Sequence, residues 1–344
     1  MKNVHAAVTL LIVATTTLAA VPAARAQTTT TVKLATLVPD GSVWDKLLHE
    51  MGADWQKSTQ GRVSLLIYAG GTVGDEPDLV RMMRIGRLQA AALTTAGLAK
   101  IDPSFQIFNI PMYFDSYDEL NDVIKKMEPT LKQRLEAKGF VLLSWGHGGW
   151  VHFFSRKPIA TVEDVKKAKI FSWAGDDQSF QLWKGQGYQP VALAATDILT
   201  GLNTGMIDVF PSTPVIAMSM QWFRVAPYMA EIGLAPLAGG MVMTKQAWAK
   251  LSEADRAKIL EASGRLERRL QVEIPKQDTT SVAVMQQRGL KIVPVDAANI
   301  AAWHAAAKQF AEKMRGPIVP ADVLDMATKE RDAYRQQHGT GSAH

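Results

Sequence analysis

Few side chains in this sequence stand in patterns that could make or break a bond. The segment Gly146-His147-Gly148-Gly149-Trp150 has the His-Gly-Gly order of an oxyanion loop, in which backbone N–H groups face a developing oxyanion. Its nucleophile would sit in a Gly-x-Ser-x-Gly turn, and the chain has none. His147 and His152 are five residues apart, and an extended segment sets them on opposite faces, a poor geometry for sharing a metal. The run GGTVGDE over 70–76 has neither the Gly-x-Gly-x-x-Gly spacing of a dinucleotide site nor the Lys-Ser/Thr ending of a phosphate loop. A tight turn with an acidic helix start explains it. Asp176-Asp177 has the composition of a metal pair, but two acids opening QSFQLW also suit a helix N-terminus, and capping is the simpler reading. No catalytic constellation, cofactor motif or metal set is left. The expected chemistry is therefore binding.

What must position any binding groups is an alternation of strands and helices. VKLATLV predicts a buried strand, and SVWDKLLHEMGADWQKST has apolar residues at helical spacing until Gly61 stops it. RVSLLIYAG, a helix opened by Asp75 or Glu76, and QAAALTTAG continue the pattern, which predicts a parallel α/β sheet with helices on its faces. The alternation returns at FVLLSWGHGG. A helix follows from Thr161, with Asp164 three residues on in a capping-box arrangement, and then KIFSWAG, DDQSFQLWKGQG, YQPVALA, TDILTGLNTG and MIDVFPS. From Ser252 to about Gln287 one long helix is expected, with Pro275 as a kink or break. LKIVPV reads as a late strand, IAAWHAAAKQFAEKM as a helix, and the end of the chain as a disordered tail.

The compartment follows from the N-terminus. Lys2, an uncharged and largely apolar run over 6–21, Pro22 and then Ala24-Arg25-Ala26 predict a cleavable signal peptide over 1–26 and a periplasmic chain. No later segment approaches the roughly 18 uninterrupted apolar residues of a membrane span. The chain has no Cys, and its length supports two cores without disulfides. Losing Lys2 and Arg25 lowers the formal charge from +5 to +3, with no basic block to suggest nucleic acid.

Six segments carry a family resemblance: VKLATLVPDGS, the stretch from GRVSLLIYAGG to IDPSF, FNIPMYFDSYDEL, KPIATVEDVKKAKI, TDILTGLNTGMIDVFPSTP and MTKQAWAKLSEADRAKILEAS. In that order the chain resembles the DctP-type substrate-binding proteins of tripartite ATP-independent periplasmic (TRAP) transporters. The resemblance implies an α/β, two-domain periplasmic-binding-protein-like fold with a cleft between the domains and a long helix bracing both. By analogy, domain I takes residues 27–148 and 237–275, domain II takes 149–236 and 276–330, and 331–344 form a tail. It also implies a small organic ligand, inner-membrane permease subunits as partners, and no enzymatic activity.

Members of this family usually carry an Arg, gripping a ligand carboxylate, where this chain has Phe171. A second Arg falls near Trp150 or Val151, an Asn near Ser212 and an acid near Thr94. Each has become apolar or weakly polar, so the carboxylate clamp is not carried over. Aromatic residues at strand ends take its place, since ligands of parallel α/β units bind beyond the carboxyl ends of strands. The expected ligand-binding residues are Leu37, Thr94, Thr95, His147, Trp150, Phe171, Trp173, Phe210, Ser212 and Thr213, with no cofactor and no metal. Trp145 and Phe210 suit the core as well as the cleft. The expected ligand is apolar, aromatic or zwitterionic, or a weakly polar organic acid held by backbone N–H groups, His147, Ser212 and Thr213. The alternatives are a periplasmic carrier of lipid-like molecules and a secreted hydrolase.

Overall fold

The computed structural model describes residues 29–339, so the signal-peptide expectation lies outside the described residues. The first lobe begins with β1 (Thr30–Thr36), α1 (Val43–Ser58), β2 (Val63–Tyr68), α2 (Glu76–Arg84), β3 (Ala90–Thr94) and α3 (Thr95–Ala99). A 3₁₀ segment over Pro103–Asn109 leads to α4 (Tyr117–Ala137). The long strand β4 (Phe140–Ser155) then carries the chain into the second lobe. That lobe holds α5 (Val162–Lys166), β5 (Lys169–Trp173), α6 (Asp177–Gly185), β6 (Gln189–Leu193), α7 (Ile198–Thr204), β7 (Val209–Ser212), α8 (Pro214–Ser219) and β8 (Tyr228–Ala230). The strand β9 (Ala235–Thr244) returns, followed by α9 (Lys245–Ala249) and α10 (Glu253–Gln287). Then come β10 (Lys291–Val293), α11 (Ala297–Met314) and α12 (Ala321–His338).

Local signals set many of these boundaries. Ser42 caps α1 by accepting from the Asp45 amide, Ser252 does the same for α10 through Asp255, and Thr161 and Asp164 form a reciprocal capping box on α5. The sheets are mixed rather than parallel. In the first lobe the order is β2-β1-β3-β9-β4, with β1, β2 and β3 parallel and β9 antiparallel to both β3 and β4. In the second, the far end of β4 pairs antiparallel with β7 and β8, while β5, β6 and β7 run parallel. A strand that crosses between lobes and pairs with its own return strand must be antiparallel to it, which is why β4 and β9 break the pattern.

Four apolar clusters sandwich the two sheets. One packs α4 and α12 against the first sheet and a second packs α1 and α10 on its other face; the remaining two flank the second sheet. Helix α10 gives Ile259 to Ile274 to the first lobe and Met285 to the second, and it is continuous through Pro275, where a kink or break was expected. The C-terminal division also differs from expectation. Met314, Ile318, Val319, Val323 and Leu324 belong to the core of the first lobe, and α12 stays helical to His338 where a tail from 331 was expected. Arg335 on α12 pairs with Asp115 and Glu119, tying it to the start of α4. No described helix is long and apolar enough to cross a membrane.

Candidate ligand-binding site

Between the lobes lies a cavity of about 240 Å³. The first lobe lines it with Thr36, Leu37 and Val38 after β1, Glu76 at the start of α2, Leu93 and Thr94 at the end of β3, and Trp44 and Leu48 from α1. The second contributes Phe171 and Trp173 from β5, Thr196 and Ile198, Ser212 from β7, and Trp222. Gly146 and Gly148 of β4 and Gly239 and Gly240 of β9 form part of the wall where the two crossing strands pair. These glycines allow close packing: a Cβ on Gly239 would lie 2.4 Å from the Leu93 carbonyl oxygen, and one on Gly148 would lie 2.5 Å from Leu237.

The lining is largely apolar, and among the described residues it includes no Lys and no Arg. Its titratable side chains are Glu76 and His147. Glu76 is buried; its carboxyl accepts from the Thr94 amide and hydroxyl, both at 2.6 Å. Burial pushes it up to about 7, against the opposing pull of the Thr94 bonds. His147 is pushed down to about 4 by burial alone, so its ring is neutral, and its Nε2 has no hydrogen-bond partner. Its ring lies 6.3 Å from that of Tyr117 on α4, while its carbonyl accepts from the Trp44 indole at 2.7 Å. Neither group offers a cation to a ligand.

Of the residues expected from sequence, Leu37, Thr94, His147, Phe171, Trp173 and Ser212 line this cavity together. The other four do not. Thr95 is buried with its hydroxyl on Asn109, and Phe210 is fully buried between Phe154 and Trp222 in the core of the second lobe. Thr213 is enclosed at the start of α8. Trp150 packs edge-on against Tyr117, ring centres 5.3 Å apart, because the irregularity in β4 between His147 and Gly149 shifts the alternation of side chains. Trp145 touches the cavity, yet its indole donates to Glu128 and its ring packs on Phe105 and Phe108.

Gly146 to Trp150, whose His-Gly-Gly order lacked a nucleophile in the sequence, is the middle of β4, paired along β9 from Gly239 to Pro236. One other expectation changes. Asp176 sits at the N-terminal boundary of α6 without a side-chain capping bond, and reaches instead to Lys100 and Gln106 of the first lobe.

Sequence reasoning also missed Trp44, Trp222 and the buried carboxylates. Asp75 and Glu76 looked like a helix start, which they are, but Asp75 takes donors from the other lobe and Glu76 is buried against Thr94. Asp278 of α10 carried no local signal. Its carboxylate accepts from the Trp150 amide at 2.7 Å and the Val215 amide at 3.3 Å, and the Tyr117 hydroxyl lies 3.4 Å away. Burial pushes it up to about 7, with the two amides pulling the other way. Eleven residues earlier on α10, Glu267 accepts from the Trp145 amide at 3.0 Å. Eleven helical residues and five strand residues both span roughly 16 Å, so α10 runs beside the edge of β4 and caps its outward N–H groups at two points.

The family model of the bacterial extracellular solute-binding proteins, family 7 (DctP), matches residues 34–316. A solute-binding protein of Chromohalobacter salexigens is 27% identical over 223 residues, covering 63% of this chain and 65% of its own length, just under two thirds of that relative. Among solved structures, an extracytoplasmic solute receptor of Bordetella pertussis binding pyroglutamic acid superposes with a TM-score of 0.81 at 18% identity, covering 88% of this chain and 99% of that one. A TRAP periplasmic solute-binding protein of Chromohalobacter salexigens with bound D-glucuronate gives 0.78 at 23% identity, over 88% and 99% of the two chains.

Proposed function

The chain belongs to the DctP family of bacterial extracellular solute-binding proteins, and we propose that it is a periplasmic receptor that encloses a small uncharged, predominantly apolar molecule and delivers it to TRAP-type permease subunits. One observation carries the ligand class: the cavity lining is largely apolar and has no Lys or Arg among the described residues. A carboxylate enclosed there would lose its hydration without gaining a counter-ion, at a cost of several kcal/mol. The similar structures hold acids, D-glucuronate and pyroglutamic acid, so this chain departs from them in chemistry and not in fold. A zwitterion meets the same objection at its carboxylate end. Trp44, Phe171, Trp173 and Trp222 supply flat surfaces for an aromatic or alicyclic body. The volume lies below the roughly 300–1,000 Å³ of pockets for drug-sized ligands, which favours a small solute over a lipid.

Mass spectrometry of the molecule released on denaturing freshly purified protein tests the ligand class directly. A neutral compound with an aromatic or aliphatic body is expected. Release of a uronate, or strong thermal stabilisation of the unmodified protein by D-glucuronate or succinate, would overturn it. Export is tested separately: periplasmic material is expected to begin at Gln27, and recovery of chains that retain Met1 in the membrane fraction would contradict it.

A further inference from the structure

The two lobes meet along the cavity mouth through a carboxylate that has no cationic partner. Asp75, the N-cap of α2, is buried to 7% exposure. One of its oxygens accepts from the Glu76 amide at 2.7 Å within the first lobe. The other accepts two bonds from the second lobe, from the Trp173 indole at 2.9 Å and the Ala195 amide at 2.8 Å. Trp173 ends β5 and Ala195 lies two residues past the end of β6, and both residues line the cavity. The surrounding surfaces are in tight contact: a Cβ on Gly71 of the first lobe would lie 2.8 Å from Thr196. Beside this contact, Lys100 donates to the Gly175 carbonyl at 3.0 Å and lies 3.6 Å from Asp176.

We infer that Asp75 is a positioning residue and an interlobe latch: it fixes the Trp173 indole against the cavity and bonds the lobes to each other in their closed arrangement. Hydrogen bonds to an ionised acceptor are stronger than neutral ones, and this acceptor draws both donors from the opposite lobe. A solute entering the cavity meets an indole whose N–H is already engaged, so Trp173 presents its ring and offers no donor. The inference deepens the reading of the cavity as the ligand site by naming what fixes one of its walls. Its test needs no ligand, so an error in the ligand class leaves it standing.

The absence of Cys allows two labels to be placed uniquely. Arg87→Cys in the first lobe and Lys184→Cys in the second, both exposed positions, carry spin labels for an interlobe distance distribution in the ligand-stripped protein. Against that background Asp75→Ser keeps a good N-cap but is too short to bridge the lobes, and Trp173→Phe keeps the ring without its N–H. The parent is expected to show a closed population with the short distance beside an open one. Asp75→Ser should lower the closed-to-open ratio about tenfold or more, the scale of a hydrogen bond to a charged group. Trp173→Phe should lower it less, because the Ala195 bond survives, and the double variant should match Asp75→Ser alone. A parent with no short-distance population, an Asp75→Ser distribution like the parent's, or fully independent effects of the two substitutions would each overturn the latch. A lower thermal midpoint for Asp75→Ser with unchanged distances would assign the residue to helix capping alone, and would overturn it too.

Discussion

Replacing Asp278 by Asn isolates the titration of the carboxylate that α10 presses against β4. The folded state holds the Asp278 proton up to about pH 7, whereas an unfolded Asp releases it near 3.9. Between those values the folded chain binds one more proton than the unfolded chain, so this group's contribution is fully present below about pH 4 and is lost as pH rises through about 7. The slope is about 1.4 kcal/mol per pH unit, and over the whole window the loss is about 4 kcal/mol. Glu76, also pushed up to about 7, has the same sign. His147, pushed down to about 4, has the opposite one: its contribution is present above about 6.5 and is lost as pH falls toward 4. Both remain in the Asn variant, so the stability difference between the two proteins reports Asp278. Urea unfolding followed by circular dichroism at pH 5, 6, 7 and 8 is the assay. The unmodified protein is expected to lose about 2 to 3 kcal/mol relative to Asp278→Asn between pH 5 and 7, and little more above pH 8. A difference independent of pH, or one growing in the other direction, would refute the reasoning.

Phe171→Arg puts a guanidinium beside the cavity at a position only 8% exposed, and should cost about 3 kcal/mol or more when nothing pairs with it. Succinate or D-glucuronate should restore part of its thermal midpoint while leaving the unmodified protein unaffected; equal responses of the two proteins would remove Phe171 from the ligand site. Gly149→Ala must adopt a backbone φ of +105° and would bring its Cβ to 2.4 Å from the Asp278 carboxylate, so a loss of about 3 kcal/mol is expected by chemical unfolding. Glu76→Gln keeps one acceptor for the Thr94 amide and removes the ionisation, so its stability should match the parent within about 1 kcal/mol at pH 6 and exceed it at pH 8. Urea titrations at those two values decide the matter.

The parts of the fold legible in the sequence are those set by residues close together in the chain. Ser42, Thr161 and Ser252 mark helix starts through bonds that span three residues, and the capping box at Asp164 forms as its spacing implies. Trp55 and Trp303, at apolar positions of helical segments, are buried. What was not legible depends on partners remote in sequence. The strand after Phe140 continues to Ser155 because β9 and then β7 supply its partners, and the sheet parity of β9 has no local signal. Alternation alone places Phe171 and Trp173 on one face, and both line the cavity. It cannot place Trp150, which follows the β4 irregularity, or separate Phe210 from them, since that ring is enclosed by Phe154 and Trp222. Pro275 fails as a break for the same reason: α10 packs on both lobes, which stabilises a helix that propensity disfavours at that position.

The positions of these groups separate two tasks within one cavity. On the proposed reading, ligand charge is read at strand ends, at Phe171, where the family resemblance implies an Arg, and at Thr94, which bonds Glu76. Contact between the lobes depends on other atoms, Asp75 with Trp173 and Ala195, while Asp278 holds α10 against Trp150 and Val215. Neither Asp75 nor Asp278 lines the cavity. On the proposed reading, substitution at a strand end changes which molecule is stable inside without breaking the bonds between the lobes, whereas loss of Asp75 changes the contact between the lobes without adding a group for a ligand. Trp173 is where the two tasks meet, since its ring faces the cavity and its N–H faces Asp75. If the proposed ligand class holds, an acid-binding relative becomes a receptor for uncharged molecules through changes at strand ends, provided that the residue at 173 keeps an N–H for Asp75.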